Sequence, residues 1–457
     1  MREPTIVCLG MCNTKGREIR FLAEQVAAFG GRPLIMDIGL GAAVDWADIP
    51  LAEVLASTGT TLDEVFSAPR AAAIELVARA GAVRIRALRD EGRCDGIISW
   101  AGAVGTTTAT AVMRALPFGV PKVMLTDMAS SDVSGWLGTS DIYISNPTVE
   151  QGVNAISRRA IANAAAAVVG MARAPEIPAG TRPLAAITAY GSTTPLVRRC
   201  TDFMESRGWD AAAFHGVGVG ATMEDLIRDG TITALMDITT SELTNTLFES
   251  PYGVSPDWTG TRLTAAGEMG IPQVILPGGM DQAAMGGLHT LPARILEECR
   301  TGARPSFRDS GLPYLHNHSV TIVIPLPEEM AELARQIASR LAGTRGPTAF
   351  VLPMRGWSAY DQPAEVATLE RGWAPGNGDG PTWQPDPAQP GWSRNSTIMR
   401  AVLQDSVPGS NPNLDLIVAD MHLLDDSLGE LVTGIMGSML DGTWRKGDFR
   451  DVPGVIE

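Results

Sequence analysis

Histidine is the side chain whose ordinary titration brackets neutral pH, and this chain has five. His215 closes an apolar run and opens "HGVGVGATMEDL", where a strand turns through glycines into a helix. Asp237, in "MDITTSEL", and Asp281, in "LPGGMDQAAMGG", also end apolar runs. A carboxylate closing a buried strand must find a donor, a metal or a ligand. One imidazole and two carboxylates on the same edge of one sheet suit general acid–base work, or a magnesium site. Glu242 joins them as a third candidate acid, although Thr239-x-x-Glu242 is also a complete capping box. The competing reading of His215 is a satisfied structural histidine.

Small and hydroxylated residues surround these groups in sequence: Ser192 and Thr193 in "YGSTTP", then Gly216, Gly218, Thr239, Thr240 and Gly279. They are the candidate substrate-binding set, and hydroxyls or backbone N–H groups there suit a developing oxyanion. Gly216, Gly218 and Ala221 also fit Gly-x-Gly-x-x-Ala ahead of Asp237, a weak dinucleotide fingerprint. Against it, Glu224 and Asp225 fall in the first turn of the following helix, where a pyrophosphate meets like charge. His316 and His318, two apart in "YLHNHSV", need further ligands to hold a metal, so the metal content is left open.

Two more strand-end loops have the build of a phosphate cradle. "GMCNTK", Gly10–Lys15, offers backbone N–H groups, the Asn13 and Thr14 side chains and a counter-charge at Lys15. It is not a P-loop, and helix capping by Asn13 or Thr14 explains it equally simply. "SWAGAVGTTTAT" brings Gly102, Gly105 and Thr106–Thr108 to the start of a helix, with the same two readings.

These loops need a sheet to hold them. Strand-like and helix-like segments alternate throughout, the mark of α/β architecture with parallel sheets. In the first half "TIVCLG", "RPLIMDIG", "DGIISW" and "PKVMLTD" read as strands; helices are expected near 16–29, 69–92, 106–116 and 149–173. "RAPEIPAGTRP", Arg173–Pro183, holds three prolines and reads as a linker, after which the pattern restarts. The expectation is two similar doubly wound domains, 1–178 and 179–457, suiting a length of 457 residues. A Gly/Pro/Trp-rich insertion at 371–395 reads as a surface loop or lid. A net charge of −15 argues against nucleic-acid partners. The longest apolar stretch is too short for a membrane span. Five cysteines without zinc spacing read as reduced core thiols, hence a cytoplasmic setting.

Taken together, "CLGMCNTKGREIRFL", "RALPFGVPKVMLTDMASSDVSGWLGTSDI", "FHGVGVGATMEDLI", "DITTSEL", "RLTAAGEMGIPQVILPGGMD" and "HN" at His316–Asn317 occur in an order that resembles the Tm-one-like ATP-binding family. The resemblance implies two Rossmann-like domains meeting at a cleft, in homodimers or larger assemblies. It implies ATP, with Mg²⁺, held in the first domain by Asn13, Thr14, Lys15, Gly102, Gly105 and Thr106. Both loops depart from the family pattern, which has Asp-Thr-Lys at 13–15 and a Gly-Gly-Ser-Gly-Gly run at 101–105. The second domain departs less, and there the resemblance implies a small carboxylate or carbonyl substrate with His215 as general acid–base. A nucleotide-independent lyase or hydrolase breaking a carbon–carbon bond next to a carbonyl is the alternative, and a non-catalytic protein-binding module the third.

Overall fold

The computed structural model describes residues 2–131, 133–138, 140–175, 180–254, 260–407 and 409–457. The chain divides into two compact units, Met1–Pro178 and Ala179–Glu457. Residues 176–179 of the expected linker lie outside the described residues.

In the first unit β1 (Thr5–Gly10), β2 (Arg32–Asp37), β3 (Gly96–Ala101), β4 (Lys122–Thr126) and β5 (Tyr143–Ser145) form one sheet in the order β2-β1-β3-β4-β5. Every pairing is parallel. β1, β3 and β4 are buried at every residue, because helices cover both faces and a strand so placed needs a continuous apolar run. Ile6 and Cys8 face the helices Cys12–Ala28 and Ala155–Ala172, packing with Ile19, Leu22, Ile161 and Val168. Val7 and Leu9 face the other way, onto Val54, Val77 and Val112.

The helices start at different points from those expected. The first opens with a short turn at Cys12, kinks at Lys15 (φ −117°, ψ 25°) and runs on from Gly16 as expected, so only part of the presumed loop Gly10–Lys15 is helical. Its N-cap is Met11, without a capping side chain. The cap comes from elsewhere: the Cys12 N–H donates to Asp37 Oδ1 at the end of β2, 3.1 Å away. Neither Asn13 nor Thr14 caps it. The helix expected from 149 begins at Ala155, where Asn154 and Ser157 form a capping box.

In the second unit β6 (Leu184–Ala189), β7 (Asp210–His215), β8 (Ile232–Asp237), β9 (Gln273–Ile275), β13 (Thr348–Pro353) and β14 (Leu414–Ala419) form an all-parallel sheet, ordered β14-β13-β9-β8-β6-β7. Between β9 and β13 the chain adds a small antiparallel sheet, β10 (Ala283–Met285), β11 (Tyr314–Asn317) and β12 (Val320–Val323), ordered β10-β12-β11. The alternating pattern gave no hint of it, since its strands are only three or four residues long. Ala283, Met285 and Val323 on one face pack with Phe248, Leu291 and Ile295. Ala284 and Ile322, paired across the strands, take the opposite face.

The segment 371–395 mixes exposed and buried residues. Trp373, Trp383, Thr382 and Ser393 are buried, and the chain then enters the helix Arg394–Ser406, packed on the helix Pro327–Leu341. All five cysteines are free and buried. Burial pushes the Cys8, Cys94 and Cys200 thiols up to about 12, so they sit neutral in the core.

Candidate functional site

In open α/β sheets ligands gather beyond the carboxyl ends of strands. In the second unit a cavity of about 390 Å³ opens there. The loop after β6 contributes Tyr190, Gly191 and Ser192; the end of β7 contributes His215 and Val217. The loop ahead of β10 brings Gln282, and the loop after β13 brings Ala359 and Tyr360. The antiparallel sheet supplies a wall of Ala284, Val320, Ile322, His316 and Asn317. Consecutive residues of a strand normally face opposite ways, yet His316 and Asn317 both line the cavity. A bulge explains it: Leu315 pairs with Thr321 and Asn317 with Val320, so two residues of β11 oppose one of β12.

His215 is exposed at the end of the edge strand β7 and stacks on Tyr190, ring centroids 5.4 Å apart and planes 29° apart. Neither its ring nor the Tyr190 hydroxyl has a hydrogen-bond partner among the described residues. Burial pushes the Tyr190 phenol up to about 12, with the charge of Asp281 adding to it, so the hydroxyl stays a neutral donor. Across the cavity the Tyr360 hydroxyl lies 3.2 Å from His316 Nδ1. Tyr360 is braced from behind by Trp373, at 5.6 Å, and Tyr314, at 5.8 Å, in edge-on packing. The 371–395 segment thus shapes the site through Trp373 and through Gly372, which lines the cavity. Gln282, buried, reaches Ser192 Oγ with Nε2 at 3.5 Å, and its Oε1 has no partner. No Asp, Glu, Lys or Arg lines the cavity among the described residues.

Of the residues singled out in this half, His215, Ser192 and His316 reach the cavity, and the other proposed catalytic and substrate-binding residues do not line it. The carboxylates are engaged elsewhere. Arg262, buried in the loop after the helix Ser241–Leu247, binds three of them: Nη2 to both Asp237 oxygens (3.1 and 3.2 Å), Nε to Glu242 Oε2 (2.9 Å) and Nη1 to Glu224 Oε1 (3.1 Å). Burial pulls against the Arg262 charge, but Asp237, Glu242 and Glu224 hold its pKa above the ordinary value. Asp237 also accepts from the Thr188 hydroxyl, 2.7 Å away. Asp237 and Glu242 therefore read as structural counter-ions rather than catalytic acids. Glu242 does not complete a capping box either; its Oε1 accepts from the Gly220 N–H at 3.0 Å. That contact also disposes of the dinucleotide fingerprint. The helix Gly220–Arg228 already has an anion at its N-terminus, and a Cβ at Gly220 would collide with it.

Asp281 is buried behind the wall, where its Oδ2 accepts from Ser358 (2.8 Å) and Thr382 (2.7 Å) while Oδ1 lacks a partner. Burial raises its carboxyl to about 6, against the pull of those hydroxyls. The Thr193 and Thr239 hydroxyls bond each other at 2.8 Å and Thr240 donates to the Leu276 carbonyl, so all three are satisfied inside the fold. Gly216 packs tightly, since a Cβ there would lie 2.9 Å from Thr239; Gly218 and Gly279 carry φ of +71°, a turn requirement. His422 is buried and neutral: burial and then Arg371 lower it to about 4, and Nε2 lies 3.1 Å from the Asp361 carbonyl. Among the described residues no cluster of three or more His, Cys, Asp or Glu could hold a metal.

In the first unit the proposed phosphate groups are similarly engaged. The Lys15 ammonium bonds the Glu150 carbonyl and lies 5.2 Å from the Trp100 ring. The Thr106 hydroxyl donates to the Gly102 carbonyl at 2.9 Å and sits 2.8 Å from Thr126 Oγ1; Thr107 and Thr108 bond back to Ala103 and Val104. Gly105 lies inside the helix Ala103–Met113, packed on Ala101, and Gly102 is its N-cap. A Cβ at Gly102 would meet Asp127 Oδ1 at 3.8 Å and Glu150 Oε1 at 3.9 Å. Two carboxylates at that helix mouth repel a triphosphate, and Lys15 is not free to offset them. Asn13 and Thr14 are exposed. A triphosphate with magnesium fits these residues poorly.

Sequence reasoning missed Tyr190, Gln282, Tyr360, Arg262 and Tyr252, which also lines the cavity. Only Arg262 carried a signal: the acids Glu224, Asp237 and Glu242, set beside apolar runs, demand a buried cation.

Two family models match the chain in order: the uncharacterised protein family UPF0261 N-terminal domain over residues 4–176, and its C-terminal domain over 182–371. Nearly the whole cavity wall falls within the second match. A UPF0261 protein of Clostridium tetani is 34% identical over 367 residues, covering 79% of this chain and 86% of its own. One from Rhizobium meliloti is 34% identical over 359 residues, covering 78% and 85%. The ToMV resistance protein Tm-1 of Solanum lycopersicum is 28% identical over 389 residues, 79% of this chain but 49% of that longer protein. Both halves match in order, and the chain belongs to the UPF0261 family.

Proposed function

We propose that this chain is an enzyme that acts on a small carbonyl compound in the cavity of its second unit, without a nucleotide. The observation that carries the reading is His215: an exposed strand-end imidazole, unbonded, stacked on a neutral Tyr190 at the mouth of an aromatic-walled cavity. A buried structural histidine is satisfied by the fold, as His422 is; His215 is not. Its chemistry is general acid–base. In a retro-aldol-type cleavage His215 removes the proton of a hydroxyl two carbons from the carbonyl. The O–H pair forms the new C=O as the carbon–carbon bond breaks, its electrons passing to the enolate. The Tyr190 hydroxyl suits the enolate oxygen, and the imidazolium returns the proton to carbon. The engaged groups of the first unit support no nucleotide step, and none is invoked.

The test is untargeted turnover. The purified protein is incubated with a metabolite extract, and substrate loss is followed by mass spectrometry for the wild type and His215→Ala. The wild type is expected to consume at least one carbonyl metabolite and the folded variant to lose that activity by about 100-fold or more. Consumption at the wild-type rate by the variant refutes the role of His215.

A further inference from the structure

We infer that the substrate is a carbonyl compound bearing a carboxylate, with His316 and Asn317 forming the subsite for the carboxylate while His215 and Tyr190 meet the reacting end. The inference rests on the proposed function, because it concerns the same cavity.

The wall built by the antiparallel sheet carries it. A regular strand would turn His316 and Asn317 to opposite faces, but the bulge in β11 brings both to the cavity, and both are exposed there. Each has one polar atom already engaged by the chain. Asn317 Oδ1 accepts from the Ser319 N–H at 2.8 Å. Only the oxygen can take that contact, so the orientation of the amide is fixed, and its NH₂ has no partner among the described residues. His316 Nδ1 lies 3.2 Å from the Tyr360 hydroxyl, and Nε2 has no partner among the described residues.

Tyr360 decides what that nitrogen offers. Burial pushes its phenol up to about 12, with Tyr314 and the charge of Asp281 adding to it, so the hydroxyl keeps its proton. Donated to Nδ1, it leaves the proton of a neutral ring on Nε2. On a charged ring the hydroxyl turns to accept, and Nε2 still carries a proton. Two neighbouring side chains therefore present N–H donors, one of them on a ring that can take a positive charge. That is the complement of the two oxygens of a carboxylate. Among the described residues no Asp or Glu lines the cavity to compete for these donors; Asp281 lies behind the wall, bonded to Ser358 and Thr382. Tyr190 and His215 stand at the ends of β6 and β7, on the other sheet, and a cavity of about 390 Å³ takes a short molecule between the two pairs.

The experiment is calorimetric titration of the full chain with two probes of one shape, at about pH 6, where an ordinary imidazole is mostly charged. Benzoylformate is a keto acid and an anion; 1-phenylpropane-1,2-dione has an acetyl group in place of the carboxylate and is neutral. The keto acid is expected to bind at least about tenfold more tightly. His316→Leu and Asn317→Leu should each weaken the keto acid by about fivefold or more and leave the diketone within about twofold, whereas a variant that only distorts the wall weakens both alike. The wild-type comparison needs no variant, so a misfolded one leaves the test intact. Equal affinity for the two probes, tighter binding of the diketone, no binding of either, equal weakening of both in the variants, or a keto-acid preference that survives in both variants overturns the inference. The proposed function fails separately. Turnover of a neutral carbonyl metabolite that His215→Ala abolishes refutes only the carboxylate class, and a keto-acid preference with full turnover in His215→Ala refutes only the chemistry.

Discussion

The two units repeat one design and use it differently. Each sheet places its second strand outside its first and the later strands on the other side: β2-β1-β3-β4-β5 in one, β7-β6-β8-β9-β13-β14 in the other. The crevice expected of this winding lies between β1 and β3, and between β6 and β8. In the second unit that crevice is closed by the protein itself. Thr193 bonds Thr239 across it, and Asp237 turns to Arg262. The open space has moved sideways, to the edge strand β7 and the antiparallel sheet, which has no counterpart among the described residues of the first unit. In the first unit the crevice is flanked by Lys15, tied to Glu150, and by a helix mouth beside two carboxylates. A shared topology therefore gives a place where a ligand can bind, and the side chains that fill that place decide whether one does.

The sharpest way to break this contrast is to remove its buried cations. Arg262→Met leaves the buried Asp237 and Glu242 without a counter-charge, and Glu224 with only Arg228 at 3.8 Å, and should cost about 3–5 kcal/mol, read by denaturant unfolding. Lys15→Met in the first unit removes one hydrogen bond and one cation–ring contact and should cost about 1–2 kcal/mol. Equal costs would mean that the two crevices are closed by comparable interactions.

The next effect is in pH. Folded Asp281 keeps its proton up to about pH 6, whereas an unfolded aspartate releases it near ~3.9. Between those values the native state holds more protons, so this group makes stability fall as pH rises, by on the order of 3 kcal/mol in full. Asp281→Asn should remove that slope, so variant minus wild-type stability increases from about pH 4 to about pH 6. Asp361, raised by burial and then by the Asp281 charge, adds a slope of the same sign that Asp281→Asn lessens, whereas His422, lowered to about 4, has the opposite slope and is common to both proteins. A flat difference profile would place Asp281 in a more solvated setting.

Smaller still, Thr239→Val breaks the Thr193 bond and should cost about 1 kcal/mol without altering turnover. His215→Ala should change stability by no more than about 0.5 kcal/mol, because the ring is exposed and unbonded. A His215 variant that melts early would mark that residue as structural.

What could be read from the residues follows how local each feature is. β1, β3 and β7 were legible because short β-branched or apolar runs with glycine at their ends have one reasonable reading. β5 and the antiparallel sheet were not, since strands of three or four residues carry no period. His215 and Ser192 were legible as strand-end residues. The acids misled: a carboxylate at a strand end looks the same in sequence whether it meets a substrate or, as Asp237 does, an arginine 25 residues later in the chain. Tyr190, Gln282 and Tyr360 meet only after the chain has closed, and the bulge that turns His316 and Asn317 to one side depends on the register of β12.

The most direct test of the account is hydrogen exchange read peptide by peptide, with a protein-free metabolite extract in one arm and ATP with Mg²⁺ in the other. The extract should slow exchange in peptides covering Tyr190–Ser192, Phe214–Val217 and Leu315–Ile322, while ATP leaves Cys12–Lys15 and Gly102–Thr106 unchanged. Protection of those first-unit peptides by ATP, with the second unit unaffected by the extract, would contradict it.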